Sequence, residues 1–204
     1  LGALRAEVTW SNLDVAPGGA ARVYASGADA SGRGVFARSD DGAATFTEVS
    51  REGEPEGAMY LSGVDPTRAD VVYARVPEGL GTALWRSDDA GRRWSRAAVT
   101  QGPMLGFAMS PDGASVWVGG PDDGLWRSDD RGVTFARVSS FGPTCLRHDG
   151  AALWACADWS RAPFALGRST DGGARFDPVL RFDDVLGPFA CDPSKHGATV
   201  YGWQ

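Results

Sequence analysis

One octapeptide occurs four times in this chain, and it constrains the fold more than any other feature. The copies are Ser39-Asp40-Asp41-Gly42-Ala43-Ala44-Thr45-Phe46, Ser87-Asp88-Asp89-Ala90-Gly91-Arg92-Arg93-Trp94, Ser128-Asp129-Asp130-Arg131-Gly132-Val133-Thr134-Phe135 and Ser169-Thr170-Asp171-Gly172-Gly173-Ala174-Arg175-Phe176. They start 48, 41 and 41 residues apart, and an arginine (Arg38, Arg86, Arg127, Arg168) precedes each. A fixed period of this length marks a repeat architecture, in which one supersecondary unit buries its faces against copies of itself.

A second element recurs in phase with the first. Apolar runs are broken by turns at Pro17-Gly18-Gly19, Asp65-Pro66-Thr67, Pro111-Asp112-Gly113, His148-Asp149-Gly150 and Asp192-Pro193-Ser194. Each turn is followed by an aromatic: Tyr24, Tyr73, Trp117, Trp154 and Tyr201. Every unit thus reads strand, turn, strand, loop, strand, Ser-x-Asp turn, strand. With 28 glycines and 12 prolines among 204 residues, the composition suits short strands joined by turns, and no window carries an apolar stripe of helical period. The fold class expected is all-β: a β-propeller of four-stranded antiparallel blades, four full blades plus part of a fifth.

The octapeptide resembles the Asp-box, or BNR repeat, whose pattern is Ser-x-Asp-x-Gly-x-Thr-Trp/Phe. The third copy matches every fixed position. The second and fourth carry Arg93 and Arg175 in place of threonine, and the first has Ala43 in place of glycine. Sialidases, xyloglucan-type glycosidases, sortilin-type receptors and photosystem assembly factors all contain such boxes, so the resemblance implies architecture and leaves activity open. Physically, a glycine suits a backbone position of positive φ, the Ser and Asp side chains satisfy the turn's own amides, and the closing aromatic wedges between blades.

Blades are expected at about 13–59, 60–103, 104–142 and 143–186, with 187–204 beginning a fifth. Residues 5–10, Arg5 to Trp10, read as the outer strand of a preceding blade, so that 1–12 belong with 187–204. Either these segments close a five-bladed ring, or the chain is an excerpt of a six- to eight-bladed propeller. The opening Leu1 and the absence of a fifth box favour the excerpt.

Where the units differ, function is expected. Loops joining second to third strands (26–34, 75–83, 119–124, 156–165) and blade to blade (50–59, 98–103, 138–143, 181–188) should gather on one face around the channel. The most distinctive is 156–164, where Asp158, Trp159 and Arg161 offer an indole and charged hydrogen-bonding groups suited to a polar ligand with one apolar face. Those three are the candidate ligand-binding residues, for a carbohydrate or protein ligand. The acidic run at Glu52, Glu54 and Glu56 reads as a solvated loop, with calcium capture an alternative. Asp122-Asp123 and Asp183-Asp184 read as turns or as ligands.

The sialidase pattern sharpens the enzyme question. Family resemblance would imply three arginines, a tyrosine–glutamate pair and an acid/base aspartate. No Arg-Ile-Pro segment stands near Arg5, and three of the four tyrosines fill the repeat's aromatic slot, leaving Tyr60 with Glu56 four residues away. No catalytic residue is assigned. Neither are metal ligands, because no His/Cys/Asp cluster has zinc spacing and His148 and His196 lie at turns. No phosphate-cradling or Gly-x-Ser-x-Gly motif is present, and no cofactor is implied.

A formal charge of −6 disfavours nucleic acid and anionic membrane surfaces. No stretch approaches the ~20 apolar residues that span a bilayer. Three cysteines (Cys145, Cys156, Cys191) leave one unpaired in any intramolecular scheme. With a four-residue loop around Asp149-Gly150, Cys145 and Cys156 would face each other; a shorter loop would make Cys191 the rival partner. The expected function is a non-catalytic binding or scaffold propeller, extracellular or in the cell envelope. The alternative is a glycoside hydrolase of sialidase-like architecture whose catalytic residues lie partly outside this segment.

Overall fold

The computed structural model describes residues 4–18, 21–49, 55, 57–158 and 160–184. They form four antiparallel four-stranded sheets, each a simple meander in chain order. Blade one is β1 (Thr9–Val15), β2 (Val23–Ala28), β3 (Gly34–Ser39) and β4 (Thr47–Glu48); blade two is β5 (Tyr60–Asp65), β6 (Arg68–Glu78), β7 (Gly81–Ser87) and β8 (Ser95–Thr100). Blade three is β9 (Gly106–Met109), β10 (Val116–Gly120), β11 (Gly124–Ser128) and β12 (Ala136–Ser139); blade four is β13 (Pro143–His148), β14 (Leu153–Ala157), β15 (Leu166–Ser169) and β16 (Asp177–Leu180). The single helical element described is one 3-10 turn at Phe182–Asp184. The chain is all-β, with the four blades expected. Cys191 and the segment from 187 onward lie outside the described residues.

The core sits between blades, not within them, because blades two and three are apolar on both faces and blades one and four on the face turned to them. Tyr24 and Phe36 of blade one pack with Leu61, Val72, Ala74 and Trp85 of blade two. Val71, Tyr73 and Leu84 meet Met104, Val116 and Val118 of blade three, and Trp117 and Leu125 meet Leu153 of blade four. Alternation along β6 makes this work: Val72 and Ala74 face backwards while Val71 and Tyr73 face forwards. The last three boxes close with their aromatics, Trp94, Phe135 and Phe176, in these layers, Trp94 edge-on to Phe36 with centroids 5.3 Å apart.

The second-strand aromatics also latch blade to blade by hydrogen bonds. Tyr24 Oη donates to Ala69 O at 2.6 Å, Tyr73 Oη to Arg131 O at 2.8 Å and Trp117 Nε1 to Gly172 O at 2.8 Å. Burying a polar tip in an apolar layer requires such a partner.

Two expectations are corrected. Residues 9 and 10 lie in β1, the first strand of blade one, and 5–8 make a turn against it, with Arg5 paired to Glu48. A short aromatic run looks the same wherever it pairs, so the sequence could not assign that strand. The loop placed at 75–83 is almost all strand: β6 runs to Glu78 and turns through Gly79 and Leu80 into β7.

Candidate functional site

The box residues are committed to their own turns. Ser128 Oγ donates to Asp130 Oδ1 at 2.7 Å and accepts from Gly132 N at 2.7 Å, while Asp130 accepts from Thr134 N and Thr134 Oγ1 at 2.8 and 2.6 Å. Equivalent bonds join Ser39 to Asp41, Ser87 to Asp89 and Ser169 to Asp171. Hydrogen bonds from Thr45 hold Asp41 down to about 2, and those from Thr134 hold Asp130 well below the usual carboxylate range. A carboxylate so engaged and so acidic is a structural acceptor, unsuited to act as a catalytic acid near neutrality.

The arginine before each of the first three boxes pairs with the second residue of its own box, not with an acid of a neighbouring blade. Arg38 bonds Asp40, Arg86 grips Asp88 with both terminal nitrogens at 2.5 Å, and Arg127 bonds Asp129. The fourth box has Thr170 there, and Arg168 lies over Trp154 instead. A cleft of about 810 Å³ opens beside the first two boxes, lined in part by Asp40, Asp41, Glu48, Asp89 and Arg92. Asp40, Asp41 and Asp89 are all spent on the turn bonds and ion pairs around it.

On the opposite end of the blades, the second-to-third-strand loop of blade three meets both the connector before it and the loop of blade four. Asp123 accepts from Gln101 N and Gly102 N at 2.7 and 3.0 Å, tying the third blade's loop to the connector before it. Arg161 Nη1 reaches Asp122 Oδ1 at 3.3 Å, and Arg161 Nε lies 3.8 Å from Asp158 Oδ2. The structure therefore places Asp158, Arg161 and Asp122 side by side across the junction of blades three and four, all exposed. Trp159 lies outside the described residues, as do Glu52, Glu54, Glu56 and His196. Asp158 is itself a turn residue: Ser160 Oγ and N donate to its Oδ1 at 2.7 and 2.9 Å and lower its pKa. Among the described residues no His/Cys/Asp/Glu group is arranged to hold a metal ion.

Cys145 and Cys156 are joined by a disulfide, Cα atoms 4.9 Å apart. Register sets this up: His148 pairs with Leu153 around the four-residue loop, so Cys145 falls opposite Cys156. His148, read as a surface turn residue, stacks on Trp117 of blade three at 5.1 Å, a contact with no signal in the sequence. Also unforeseen was Arg75, which lies in β6 directly opposite Tyr60 of β5.

Solved structures with the same fold include GH74 enzymes and YCF48. The chain is similar to the Niastella koreensis GH74 enzyme (TM-score 0.60, 18% identity, 82% of this chain and 29% of that one). It is similar to the GH74 xyloglucanase from Xanthomonas campestris (TM-score 0.61, 16% identity, 88% and 31%) and to YCF48 bound to D1 peptide (TM-score 0.54, 11% identity, 84% and 54%). The chain thus spans about three-tenths of the GH74 structures and about half of YCF48. No family model and no curated protein matches it in sequence. The shared property is the β-propeller fold, which hosts both glycoside hydrolases and a peptide-bound protein. No helix among the described residues is long and apolar enough to cross a membrane.

Proposed function

We propose that this chain is a non-catalytic binding or scaffold module built from Asp-box blades, working outside the cytoplasm. It holds a carbohydrate or protein ligand on the face carrying the second-to-third-strand loops. One observation carries the reading: the repeated Ser and Asp side chains are consumed in their turns, whereas the non-repeated Asp122, Asp158 and Arg161 converge at the opposite end. The Cys145–Cys156 bridge supports an oxidising compartment. A glycoside hydrolase with catalytic residues partly outside this segment is the second reading, favoured by the two GH74 likenesses.

Screening the chain on glycan and peptide arrays, then repeating the positive ligands with Arg161→Ala and Trp159→Ala, tests the proposal. The expected result is binding weakened on the order of tenfold, an unchanged melting temperature and no turnover. Hydrolysis of a chromogenic sialoside or glucoside would establish the second reading, and binding indifferent to both substitutions would remove this face.

A further inference from the structure

One cross-strand slot, two residues beyond the second-strand aromatic, is filled differently in each blade. It pairs Asn12 with Ser26, Tyr60 with Arg75, Gly106 with Gly119, and Cys145 with Cys156. In blade one the pair is used up by the next blade, since Asn12 Oδ1 and Ser26 Oγ both accept from Leu61 N. In blade three bare glycines admit Leu146 and Pro143, and in blade four the slot is the disulfide. Blade two alone places a cation there.

Arg75 Nε donates to Ser62 Oγ at 3.1 Å, and Nη1 donates to Met104 O at 2.7 Å and Leu105 O at 3.5 Å. All these acceptors are neutral. Six arginines among the described residues are at least partly buried: Arg22, Arg38, Arg75, Arg86, Arg127 and Arg131. Five of them form ion pairs with aspartate, and Arg75 has none among the described residues. Burial accordingly pushes its pKa down with no carboxylate to raise it. Withdrawing a guanidinium from water with only neutral acceptors leaves its charge unneutralised, a cost that a stitching role filled elsewhere by Asn and Ser does not require.

The Nη2 amino group has no acceptor among the described residues, and Arg75 is only partly buried. The bonds at Nε and Nη1 fix the guanidinium plane, which leaves Nη2 available in one orientation. Around it stand Tyr60, 42% exposed and directly across the ladder, and Leu105, 46% exposed on the connector whose other end Asp123 holds.

We infer that Arg75 is the anion-binding group of a ligand subsite between blades two and three, taking a carboxylate whose ring or apolar part lies on Tyr60 and Leu105. This deepens the proposed ligand face and rests on it. One open edge of a single guanidinium suits one carboxylate, by a charge-assisted hydrogen bond. The carboxylate can belong to a free acid or to a peptide C-terminus.

Titration with 3-phenylpropionate and with its uncharged amide, read by NMR at the Arg75 guanidinium and Tyr60 ring, tests the inference on the unaltered chain. A second arm uses a phenylalanine-terminated peptide with a free carboxylate, and the same peptide amidated. At least one acid should give saturable shifts at both groups, its amide binding on the order of tenfold more weakly. Response to the peptide alone assigns the carboxylate to a chain terminus, and response to both shows that a free acid suffices. Arg75→Gln and Tyr60→Ala should each reduce acid binding. Equal binding of acid and amide, or no saturable shift at Arg75 from either acid, overturns the subsite. Array ligands that still depend on Arg161 would then leave the proposed face standing, whereas their loss with acid binding intact would remove the Asp158–Arg161 reading alone.

Discussion

Replacing Gly132 by alanine should destabilise the protein by an amount that can be divided between two causes. Gly132 has φ +74°, and a Cβ built there would come 2.8 Å from Cε1 of Tyr73, which is fully buried. The left-handed conformation costs an L-residue about 1–2 kcal/mol. Forcing a packed ring aside adds about 1–3 kcal/mol, and endangers the Tyr73 bond to Arg131 O. The sum is roughly 3 kcal/mol, or roughly 6–12 °C in melting temperature for a chain of this size. Gly42→Ala supplies the control: φ is +73° but nothing lies within 4 Å of the built Cβ, so it should cost the conformational part alone, about 1–2 kcal/mol. Conversely Ala43, which occupies the Gly132 position of the first box at φ +67°, should stabilise on change to glycine, by about 0.5–1 kcal/mol. Thermal and urea melts of the three variants measure this. Equal losses at Gly42 and Gly132, or a loss at Ala43→Gly, would refute the claim that the box glycine serves both turn and blade packing.

Arg131→Ala should cost about 3 kcal/mol, because it strips the ion pair from Asp65, whose side chain is fully buried, and a double-mutant cycle with Asp65→Asn should show strong coupling. Among the box arginines, urea melts should rank Arg86→Ala as most damaging, since its side chain is 9% exposed, with Arg127→Ala, at 31%, costing under about 1 kcal/mol. Stability from these groups should hold above about pH 5 and be lost progressively towards pH 2: Asp41 and Asp149 drop from 3.8 to about 2 on folding, so the unfolded chain binds protons first. Urea midpoints across that range should show it, with a shallower fall in Asp130→Asn. Alkylation without reductant followed by mass spectrometry should find Cys145 and Cys156 protected, and reduction should cost roughly 2–3 kcal/mol by closure of an eleven-residue separation.

What could be read from the residues was whatever they settle locally. The four turns were legible because each Ser and Asp answers backbone donors within the next few positions, as Ser128 and Asp130 do for Gly132 and Thr134. Cys145 and Cys156 became legible once a four-residue loop was assumed, since hairpin register follows loop length. Nothing comparable signals contacts across blades. Arg75 falls in the loop expected at 75–83, but it lies in β6 as Ser26, Gly119 and Cys156 lie in β2, β10 and β14, and strand pairing sets it opposite Tyr60. Arg161 and Asp158 were identified by their unrepeated loop, but the reach of Arg161 to Asp122 depends on how two blades stack.

The account holds that the repeats build a frame and that the unrepeated end of the blades binds. Hydrogen–deuterium exchange with and without an array-selected ligand tests that division most directly. Added protection at 101–105, 121–123 and 158–161, with the box turns unchanged, is the predicted result. Protection concentrated at 39–46, 87–94 and 128–135 would contradict it, placing the ligand on the turns that the Ser and Asp side chains are held to brace.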